Sequence, residues 1–429
     1  MNYLPIREAL YAVRDRAVRL AAPLALDFSL ALRMILRQKR RSGLGIGAVA
    51  FGVVALLLSA GFIEWIFKDM RESTIRSFLG HIQVVRTGFL DAGTADPFSF
   101  LLPDNAPERT RLESWPGVKV VSPRLRLTGL ISVGESTVSF VGEGVIPDKE
   151  ETLSASLTIT AGTPLSAEDP TGIIVGQGLA ENLGVKPGEK VVLLANTKSG
   201  GVNAVEARVR GIFTTVSKFY DDSALRVPLP VAQQLLRTTG AHTWVVLLND
   251  TASTDATLGA LRSEITANGL ELVPWHALAD FYKKTVALFS KQVWVVTVII
   301  GIIIVLSISN TLMMSVLERT GEIGTSMALG VTRATIMRRF VMEGVVLGIL
   351  GGAIGAMVGI ILAYAISAVG IPMPPPPGMS RGYLGEILIT WPLVFNAMSL
   401  AVLTTLAASL YPAWKASRLA VVDALRHNR

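Results

Sequence analysis

Four long apolar runs divide the chain into alternating apolar and polar stretches. They cover residues 43–63, 293–317, 345–371 and 391–414, and none of them contains a charged side chain. Each run can cross the roughly 30 Å hydrocarbon core of a bilayer as a helix, which takes about 20 residues. Half of the 429 residues are hydrophobic and the mean hydropathy is +0.49, which is unusual for a soluble protein of this length. We therefore predict four transmembrane helices rather than buried helices of a soluble core.

The order of these runs predicts a multi-pass α-helical membrane protein with a large α+β extracytoplasmic domain between the first and second transmembrane helices. The first run lies too deep in the chain for a cleaved signal peptide, so we expect an uncleaved anchor. The predicted segments are an amphipathic N-terminal segment 1–42, a first span 43–66, the outside domain 67–290, a second span 291–317, a loop 318–343, a third span 344–371, a short outside loop 372–390, a fourth span 391–414 and a tail 415–429.

Basic residues concentrate on one side of the predicted spans. The N-terminal segment, the loop 318–343 and the tail each carry more Lys and Arg than acids, whereas the short loop 372–390 has only Arg381 and Glu386. Because cytoplasmic loops carry the excess of Lys and Arg, we expect both termini and the loop 318–343 in the cytoplasm. The net charge of +7 then lies at the cytoplasmic edges, close to anionic headgroups. No basic, aromatic-rich patch accompanies it, so we expect no nucleic-acid partner.

The N-terminal segment ends in a basic amphipathic stretch, "LDFSLALRMILRQKRR". Its apolar residues recur at helical spacing, which is typical of a helix that lies on a membrane surface with its basic end at the headgroups. A straight cytoplasmic extension of the first span is the alternative. The pattern leaves both arrangements open.

The outside domain has a mixed β and α pattern. Short β-branched runs such as "HIQVVRTG" and "KVVLLAN" predict strands, and "STDATLGALRSEITANG" predicts a capped amphipathic helix. This mixture predicts an α+β domain, and a cluster of acids, Pro and Gly suggests a subdomain boundary at 150–170. The chain has no cysteine, so no disulfide stabilises the domain.

The sequence shows no catalytic constellation. His81, His242 and His276 are isolated, and HExxH, GxSxG and the phosphate-binding GxxxxGK[ST] pattern are all missing from the sequence. The adjacent acids Asp221 and Asp222 would point to opposite faces of a strand, so a solvated turn is favoured over a cation site. We therefore expect no enzyme active site, cofactor site or metal site in this chain.

Glycines recur along the third span at spacings of three and four residues, which places them on one helix face. In lipid, such a face lets a neighbouring helix backbone approach closely. No ionisable residue lies at the middle of a span, which argues against an ion-coupled transporter. The predicted packing glycines are Gly344, Gly348, Gly352, Gly355 and Gly359.

The loop after the second span reads "ERTGEIGTSMALGVTRATIMRRFVMEG". Glu318 to Leu329 can form a helix that Gly330 ends, and Thr332 can cap a second helix that leads into the third span. A short charged helix joined to membrane spans at both ends is suited to dock on a partner and pass on its movement. A helical connector without a partner is the alternative. The apolar contact residues of the predicted docking helix are Ile323, Met327 and Leu329.

The same loop resembles the FtsX-like, MacB-type ABC permeases. Their motif includes an "ER-x-x-EIG" element followed by "ALG", and the tail "YPAWKASRLAVVDALRHNR" is similar to the C-terminal element of the family. Val421 stands where proline is usual. The stretches "SFLGHIQV" and "GLAENLGVKPGEKVVLL" resemble the lipoprotein-releasing (LolC/LolE-like) branch. The motif residues present here are Glu318, Arg319, Glu322, Ile323, Gly324, Ala328, Leu329, Gly330, Ile336, Phe340, Glu343 and Gly344 in the loop, and Pro412, Ala413, Ala416, Ala424 and Leu425 in the tail.

This resemblance implies a permease of the bacterial inner membrane that dimerises with a second copy or a paralogue. A separate cytoplasmic ATPase would bind the ATP and Mg, so the chain itself would not be an enzyme. Movement would pass from the ATPase to cargo outside the membrane, a lipoprotein or another lipidic molecule, with a periplasmic adaptor or chaperone as a further partner. The implied ATPase-coupling residues are Glu318, Arg319, Glu322, Ile323, Met327, Leu329 and Gly330.

Two other functions fit the sequence. The chain would be an efflux or peptide-export permease that works with a periplasmic adaptor, or a signalling protein that controls an outside hydrolase and transports nothing. The sequence does not choose between these functions and lipoprotein release.

Overall fold

The computed structural model describes residues 27–93, 95–215, 217–265, 269–374 and 382–420. The first 26 residues of the predicted N-terminal segment and the tail from residue 421, with the motif residues Ala424 and Leu425, lie outside this range. The chain forms two compact units. The membrane unit comprises the residues up to Trp65, Leu288–Ile371 and the residues from Gly385 onward; the outer domain comprises Ile66–Ala287 and Pro372–Leu384.

Four helices are long and apolar enough to cross a membrane, as the sequence predicts. M1 spans Lys39–Thr74, M2 spans Asp280–Glu318, M3 spans Arg333–Val369 and M4 spans Trp391–Ser417. M1 and M2 have 36 and 39 residues, well beyond the length needed to cross a bilayer. They extend past the apolar runs because helix-forming polar residues continue the pattern, such as the stretch "KDMREST" in M1.

M3 packs its glycine face against both M1 and M4. Toward its N-terminal end the face meets M4, where a Cβ atom on Gly344 would lie 2.6 Å from Ser409 Cβ. Further along it meets M1, where a Cβ atom on Gly355 would lie 2.6 Å from the carbonyl oxygen of Ala50. The predicted face therefore contacts two neighbours in succession. Gly344, Gly348 and Gly352 approach M4, whereas Gly351, Gly355 and Gly359 approach M1.

M2 and M4 bury much less of their surface than M1 and M3. Ile304, Ile308 and Leu312 of M2 pack into the core of the membrane unit. On its other faces, large side chains such as Trp294 and Leu306 are about two-thirds exposed. In a bilayer these faces would meet lipid, where apolar exposure carries no penalty.

Residues 27–37 form a helix that precedes M1, with a single turn residue, Gln38, between them. Asp27, Ala31 and Ile35 recur every four residues on its buried face. Phe28 and Leu36 are exposed on the opposite side. Arg33 and Arg37 are exposed as well, so the helix is amphipathic. Ala31 and Ile35 belong to the same apolar core as the membrane helices.

The outer domain begins with a four-stranded antiparallel sheet in the order β10-β1-β9-β2. One face packs against the helices Pro107–Glu113 and Thr254–Ile265, which contribute Leu112, Leu258 and Leu261. The strands are β1 Ile82–Arg86, β2 Val118–Val133, β9 Thr243–Leu248 and β10 Leu270–Pro274.

The second half of β2 joins a closed ring of six strands. Around the ring, β2 pairs with β3, then β8, β5, β7 and β6 follow, and β6 pairs back with β2; β4 pairs with β7 at the side. Alternate residues of these strands point inward and form an apolar core that includes Leu127, Phe140 and Val209. The strands are β3 Ser136–Val145, β4 Thr158–Gly162, β5 Gly172–Gly176, β6 Lys190–Asn196, β7 Val202–Thr214 and β8 Ala224–Pro228.

Short helices connect the strands and complete the predicted α+β domain. They span Phe89–Ala92, Pro147–Leu153, Gln177–Leu183, Lys218–Asp221, Leu229–Leu236 and Trp275–Leu278, with single 3-10 turns at Pro97–Phe100 and Thr251–Ser253 and a π-turn at Ile75–Leu79. A short pair of strands, β11 Ile371–Met373 and β12 Tyr383–Gly385, follows M3.

The predicted subdomain boundary at 150–170 is wrong. The two halves of the outer domain meet inside β2, where Arg124 is the last residue paired with β9 and Leu125 the first paired with β3. The ring is thus inserted into the four-stranded sheet, to which the chain returns at β9. A boundary inside a 16-residue strand leaves no Pro- or Gly-rich signal in the sequence.

Replacing Gly355 with Leu is expected to destabilise the membrane unit by about 1–3 kcal/mol, because the new side chain would meet the M1 backbone. Ala353→Leu is the matched control, since Ala353 lies exposed on the same helix. Thermal unfolding of the full chain in detergent measures both. Equal melting temperatures for the two variants would contradict the assigned contact.

Candidate functional site

The loop between M2 and M3 contains a separate short helix, Thr320–Ala328, here called the loop helix. Arg319 has φ −103° and ψ 14° and breaks the helical path between M2 and the loop helix. The single predicted helix from Glu318 is therefore two elements. Gly330 follows the loop helix with φ 92°, a conformation that favours glycine. As predicted, Thr332 caps M3, and its side chain accepts a hydrogen bond from the Thr335 amide.

The inner face of the loop helix is fixed to three membrane helices. Ile323 is buried, at 6% exposure, in a cluster with Val316 of M2 and Phe340 of M3. Ala413 and Ala416 of M4 complete this cluster. The loop helix and the ends of M2, M3 and M4 thus share one close-packed apolar cluster.

The three predicted docking residues have different environments. Ile323 contacts the protein's own core and is not accessible to a partner. Met327 is partly buried against the same cluster, whereas Leu329 is 82% exposed. The side chain of Glu322 is 63% exposed. The accessible edge of the loop helix therefore consists of Glu322, Thr325, Ala328 and Leu329.

Arg319 forms the polar centre beneath the loop helix. Its guanidinium lies 3.2 Å from Glu322 and 3.6 Å from the buried Glu343 of M3, and it stacks over Phe340 at 5.6 Å. It also lines a cavity of about 200 Å³ that reaches Met34 of the N-terminal helix. A charge held in this way fixes the turn between M2 and the loop helix.

Ion pairs with M1 and with the helix that precedes it complete the site. Glu318 accepts two hydrogen bonds of 2.5 Å from Arg41 of M1. Buried Asp27 pairs with Arg338 and with Arg339, the latter at 3.7 Å. Sequence reasoning missed these pairs because about 280 residues or more separate the partners. The only signal was Asp27 itself, a single acid in the apolar stretch "LALDFSLAL".

At its other end, M1 passes through a π-turn into a second cluster, here called the outer joint. Arg226 of β8 donates a hydrogen bond of 2.6 Å to the Ser77 carbonyl, and Arg124 of β2 donates to the Phe78 carbonyl. The last carbonyls of a helix lack intrahelical donors and carry partial negative charge, so guanidinium groups satisfy them well. The end of M1 is thereby bonded to both β2 and β8.

Two carboxylates balance the arginines of the outer joint. Glu150 lies 3.0 Å from Arg124 and 3.1 Å from Arg226, and Glu143 lies 3.3 Å and 3.4 Å from the same two groups. Burial alone would raise the pKa of Glu143, but the two guanidinium groups outweigh it and hold that pKa below its usual value. Burial, together with the neighbouring Glu143 carboxylate, raises the pKa of Tyr220 to about 12.

The segment just before M2 packs in the same region of the outer domain. Trp275 and Ala279 pack with Ile75 and Leu79 in one apolar cluster, on the face of the four-stranded sheet opposite its helices. The segments that follow M1 and precede M2 therefore share one apolar cluster of the outer domain.

The isolated histidines have structural roles. His81 Nδ1 accepts from the Leu248 amide at 3.0 Å, and His242 Nδ1 accepts from the Arg126 amide at 3.0 Å. Burial lowers the pKa of each to about 4, so both rings are neutral. His276 is half exposed.

Asp221 and Asp222 lie in different environments, and the predicted solvated turn is wrong for Asp221. Asp221 is buried and accepts a hydrogen bond of 2.8 Å from the Thr215 hydroxyl, whereas the Asp222 side chain is partly exposed beside Lys218. In the described part of the chain, no group of three or more His, Asp or Glu side chains is placed to hold a metal ion.

Two family models match the chain. Residues 42–264, which hold M1 and most of the outer domain, match the MacB-like periplasmic core domain, and residues 294–421 match the FtsX-like permease C-terminal region. The chain belongs to the family of FtsX-like permeases with a MacB-like periplasmic core. The resemblance seen in the loop and tail motifs is thereby confirmed, and the four membrane helices belong to a membrane permease family.

Relatives from both branches of the family match this permease at nearly equal identity. An ABC transporter permease of Methanocaldococcus jannaschii is 26% identical over 62% of this chain and 65% of its own. The macrolide export ATP-binding/permease protein MacB of Sodalis glossinidius is 26% identical over 96% of this chain and 62% of its own. The lipoprotein-releasing system transmembrane protein LolE of Haemophilus influenzae is 25% identical over 86% of this chain and 90% of its own. The chain thus spans slightly under two thirds of the first two relatives.

Arg226→Met is expected to lower the free energy of unfolding of the outer domain by about 3–5 kcal/mol, because it leaves buried carboxylates without a partner. Arg208→Met is the control, since Arg208 is 54% exposed and pairs with Asp169 at the surface; its loss should cost about 1 kcal/mol or less. Urea unfolding of the full chain, followed by tryptophan fluorescence, compares them. Similar losses for both variants would refute the assigned role of the outer joint.

The stability of the outer domain should fall as the pH drops from about 6.5 to 5. The unfolded chain then binds protons at histidines of normal pKa, about 6.5, while His81 and His242 stay neutral in the folded state. Urea midpoints across this range measure the slope. The double variant His81→Asn/His242→Asn should flatten it, and His276→Asn should not. An unchanged slope in the double variant would show that other groups cause the pH dependence.

Proposed function

We propose that the chain is the transmembrane subunit of an ABC transporter and that its loop helix docks on a separate ATPase subunit in the cytoplasm. In this arrangement the ends of the membrane helices that carry the loop helix face the cytoplasm, and the outer domain faces the periplasm. The excess of Lys and Arg at those ends supports this orientation. ATP and Mg would be bound by the ATPase, since the sequence contains no GxxxxGK[ST] loop of its own.

The observation that carries this proposal is the two-sided loop helix. Its outer edge presents Glu322, whose side chain is 63% exposed beside Arg319, and Leu329, an apolar residue that is 82% exposed. Its inner edge is anchored by Ile323 to M2, M3 and M4. A partner that moves the outer edge therefore moves the membrane helices.

Movement would then reach the outer domain through M1 and M2. Glu318 at the loop end of M2 is paired with Arg41 of M1, so the two helices are joined at this end. At their other ends, M1 and M2 continue along the chain into the outer domain, where Arg226 and Arg124 bond the carbonyls of the π-turn that follows M1. Such a mechanism changes the conformation of the outer domain. It requires no polar path that carries the cargo through the membrane.

The cargo we favour is a lipoprotein or another lipidic molecule released from the inner membrane, by a dimer of this chain or of this chain and a paralogue. The relation to a lipoprotein-releasing LolE over 90% of the length of that protein supports it. Efflux with a periplasmic adaptor is the second candidate, since a macrolide export MacB matches 96% of this chain.

Leu329→Asp is expected to abolish ATPase binding and stimulation while leaving folding intact, because Leu329 is 82% exposed. Glu322→Lys should also abolish binding, and its melting temperature is measured as well because the change removes the pair of Glu322 with Arg319. Loss of an apolar contact and reversal of a charge typically cost several kcal/mol at the centre of an interface. Copurification of the ATPase and its hydrolysis rate measure the effect. Met327→Asp is a poorer test, since Met327 packs partly against the internal cluster.

Phe219→Asp is the matched control, because Phe219 is 79% exposed in the outer domain. It should retain ATPase binding and stimulation. If the two loop-helix variants copurify with the ATPase and stimulate hydrolysis as the unmodified chain does, the docking assignment is wrong.

A further inference from the structure

The lipid-facing stripe of M1 changes from apolar to basic near the loop end of the helix. Phe51 and Leu44 are each about three-quarters exposed, which marks the side of M1 that no other helix covers. Arg40 lies one helical turn before Leu44, and Leu36, 58% exposed, lies one turn before Arg40. With a rise of about 1.5 Å per residue, Arg40 lies about 6 Å along the axis from Leu44. The basic residues thus begin where the apolar surface ends.

Three cations at this place are not paired with any carboxylate of the described residues. Arg37, Lys39 and Arg40 are exposed and form no ion pair with a carboxylate of the described residues. Arg41, next to them, is bonded to Glu318 through both of its terminal nitrogens. Glu318, which lines the same depression, is therefore already paired, and the positive charge of the other three is available to a ligand.

The same residues surround an open depression. It has a volume of about 420 Å³ and is lined by Arg37, Gln38, Lys39, Arg40, Arg41 and Glu318. Several Lys and Arg side chains around one concave surface suit an anionic group with several oxygen acceptors, of which a phosphate is the commonest. The exposed Leu36 and Leu44 border the cations along the helix, so the ligand would have an apolar part as well.

We propose that this depression binds the headgroup of an acidic phospholipid, with the phosphate held by Arg37, Lys39 and Arg40 and the acyl chains along Leu44 and Phe51 of M1. Clusters of basic residues directly beside a membrane helix favour anionic lipids for this reason. A free phosphate would use the cations but gain nothing from the apolar stripe. The inference depends only on the membrane helices and not on the ATPase partner.

A lipid at this place would contact the joint between M1 and M2. Arg41 and Glu318 form one wall of the depression, and Glu318 is the last residue of M2 before the loop helix. A bound anion would reinforce the start of M1 against the end of M2. The lipid composition of the membrane would thereby affect the stability of the loop region.

The test compares binding of phosphatidylglycerol and phosphatidylcholine to the full chain in detergent, counted by native mass spectrometry. The unmodified chain should prefer phosphatidylglycerol. Arg37→Gln/Arg40→Gln should weaken its binding roughly tenfold or more, since each cation near an anionic lipid contributes about a factor of five. Lys186→Gln/Lys198→Gln, which removes the same charge from exposed sites of the outer domain, should change nothing.

Inorganic phosphate at millimolar concentration serves as the competitor. It should not displace phosphatidylglycerol, because it lacks the apolar part. Displacement by phosphate would show an anion site without lipid specificity and would overturn the proposal. Equal binding of both lipids, or equal binding to the unmodified chain and the Arg37→Gln/Arg40→Gln variant at unchanged melting temperature, would overturn it as well.

Discussion

The architecture depends on the close approach of helix backbones along the glycine face of M3. Lipid tails are as apolar as leucine, so membrane helices gain little from burying apolar side chains against each other, and they associate through tight packing. At Gly344 and Gly355 no side chain separates M3 from M4 and M1, and even one added carbon would come within 2.6 Å of a neighbouring atom. This contact joins M1, M3 and M4 into one rigid body. Movement can pass from one end of these helices to the other only if they move together.

The rigid packing of the membrane helices matters because only a few specific contacts are made at each of their ends. At one end, Ile323 anchors the loop helix, and the pair of Arg41 with Glu318 joins M1 to M2. At the other end, Arg124 and Arg226 bond the carbonyls of the π-turn that follows M1 within the outer domain. Buried charges of this kind are costly to separate from their partners, so the attachment resists being pulled apart even where it adds little net stability.

Local patterns predicted the parts of this protein that depend on local physics. The four spans, the glycine face, the turn at Gly330 and the cap at Thr332 follow from composition and helical spacing, and the loop motif indicated the family. The pairs of Asp27 with Arg338 and of Arg226 with Glu150 were not predictable, because spacing along the chain says nothing about which distant charges meet. Nor did the sequence show that Ile323 faces inward. An apolar residue on an amphipathic helix suits a partner as well as a core, and only the three-dimensional contacts distinguish them.

We propose that the loop helix lies on the cytoplasmic side of the membrane and binds an ATPase there. Because the chain has no cysteine, single cysteines report accessibility without background. Leu329→Cys and Phe219→Cys would be treated in spheroplasts with a membrane-impermeant maleimide. With the loop helix in the cytoplasm, Phe219→Cys is labelled in intact spheroplasts, whereas Leu329→Cys is labelled only after lysis. Bound ATPase then protects Leu329→Cys from labelling. Labelling of Leu329→Cys in intact spheroplasts would contradict it.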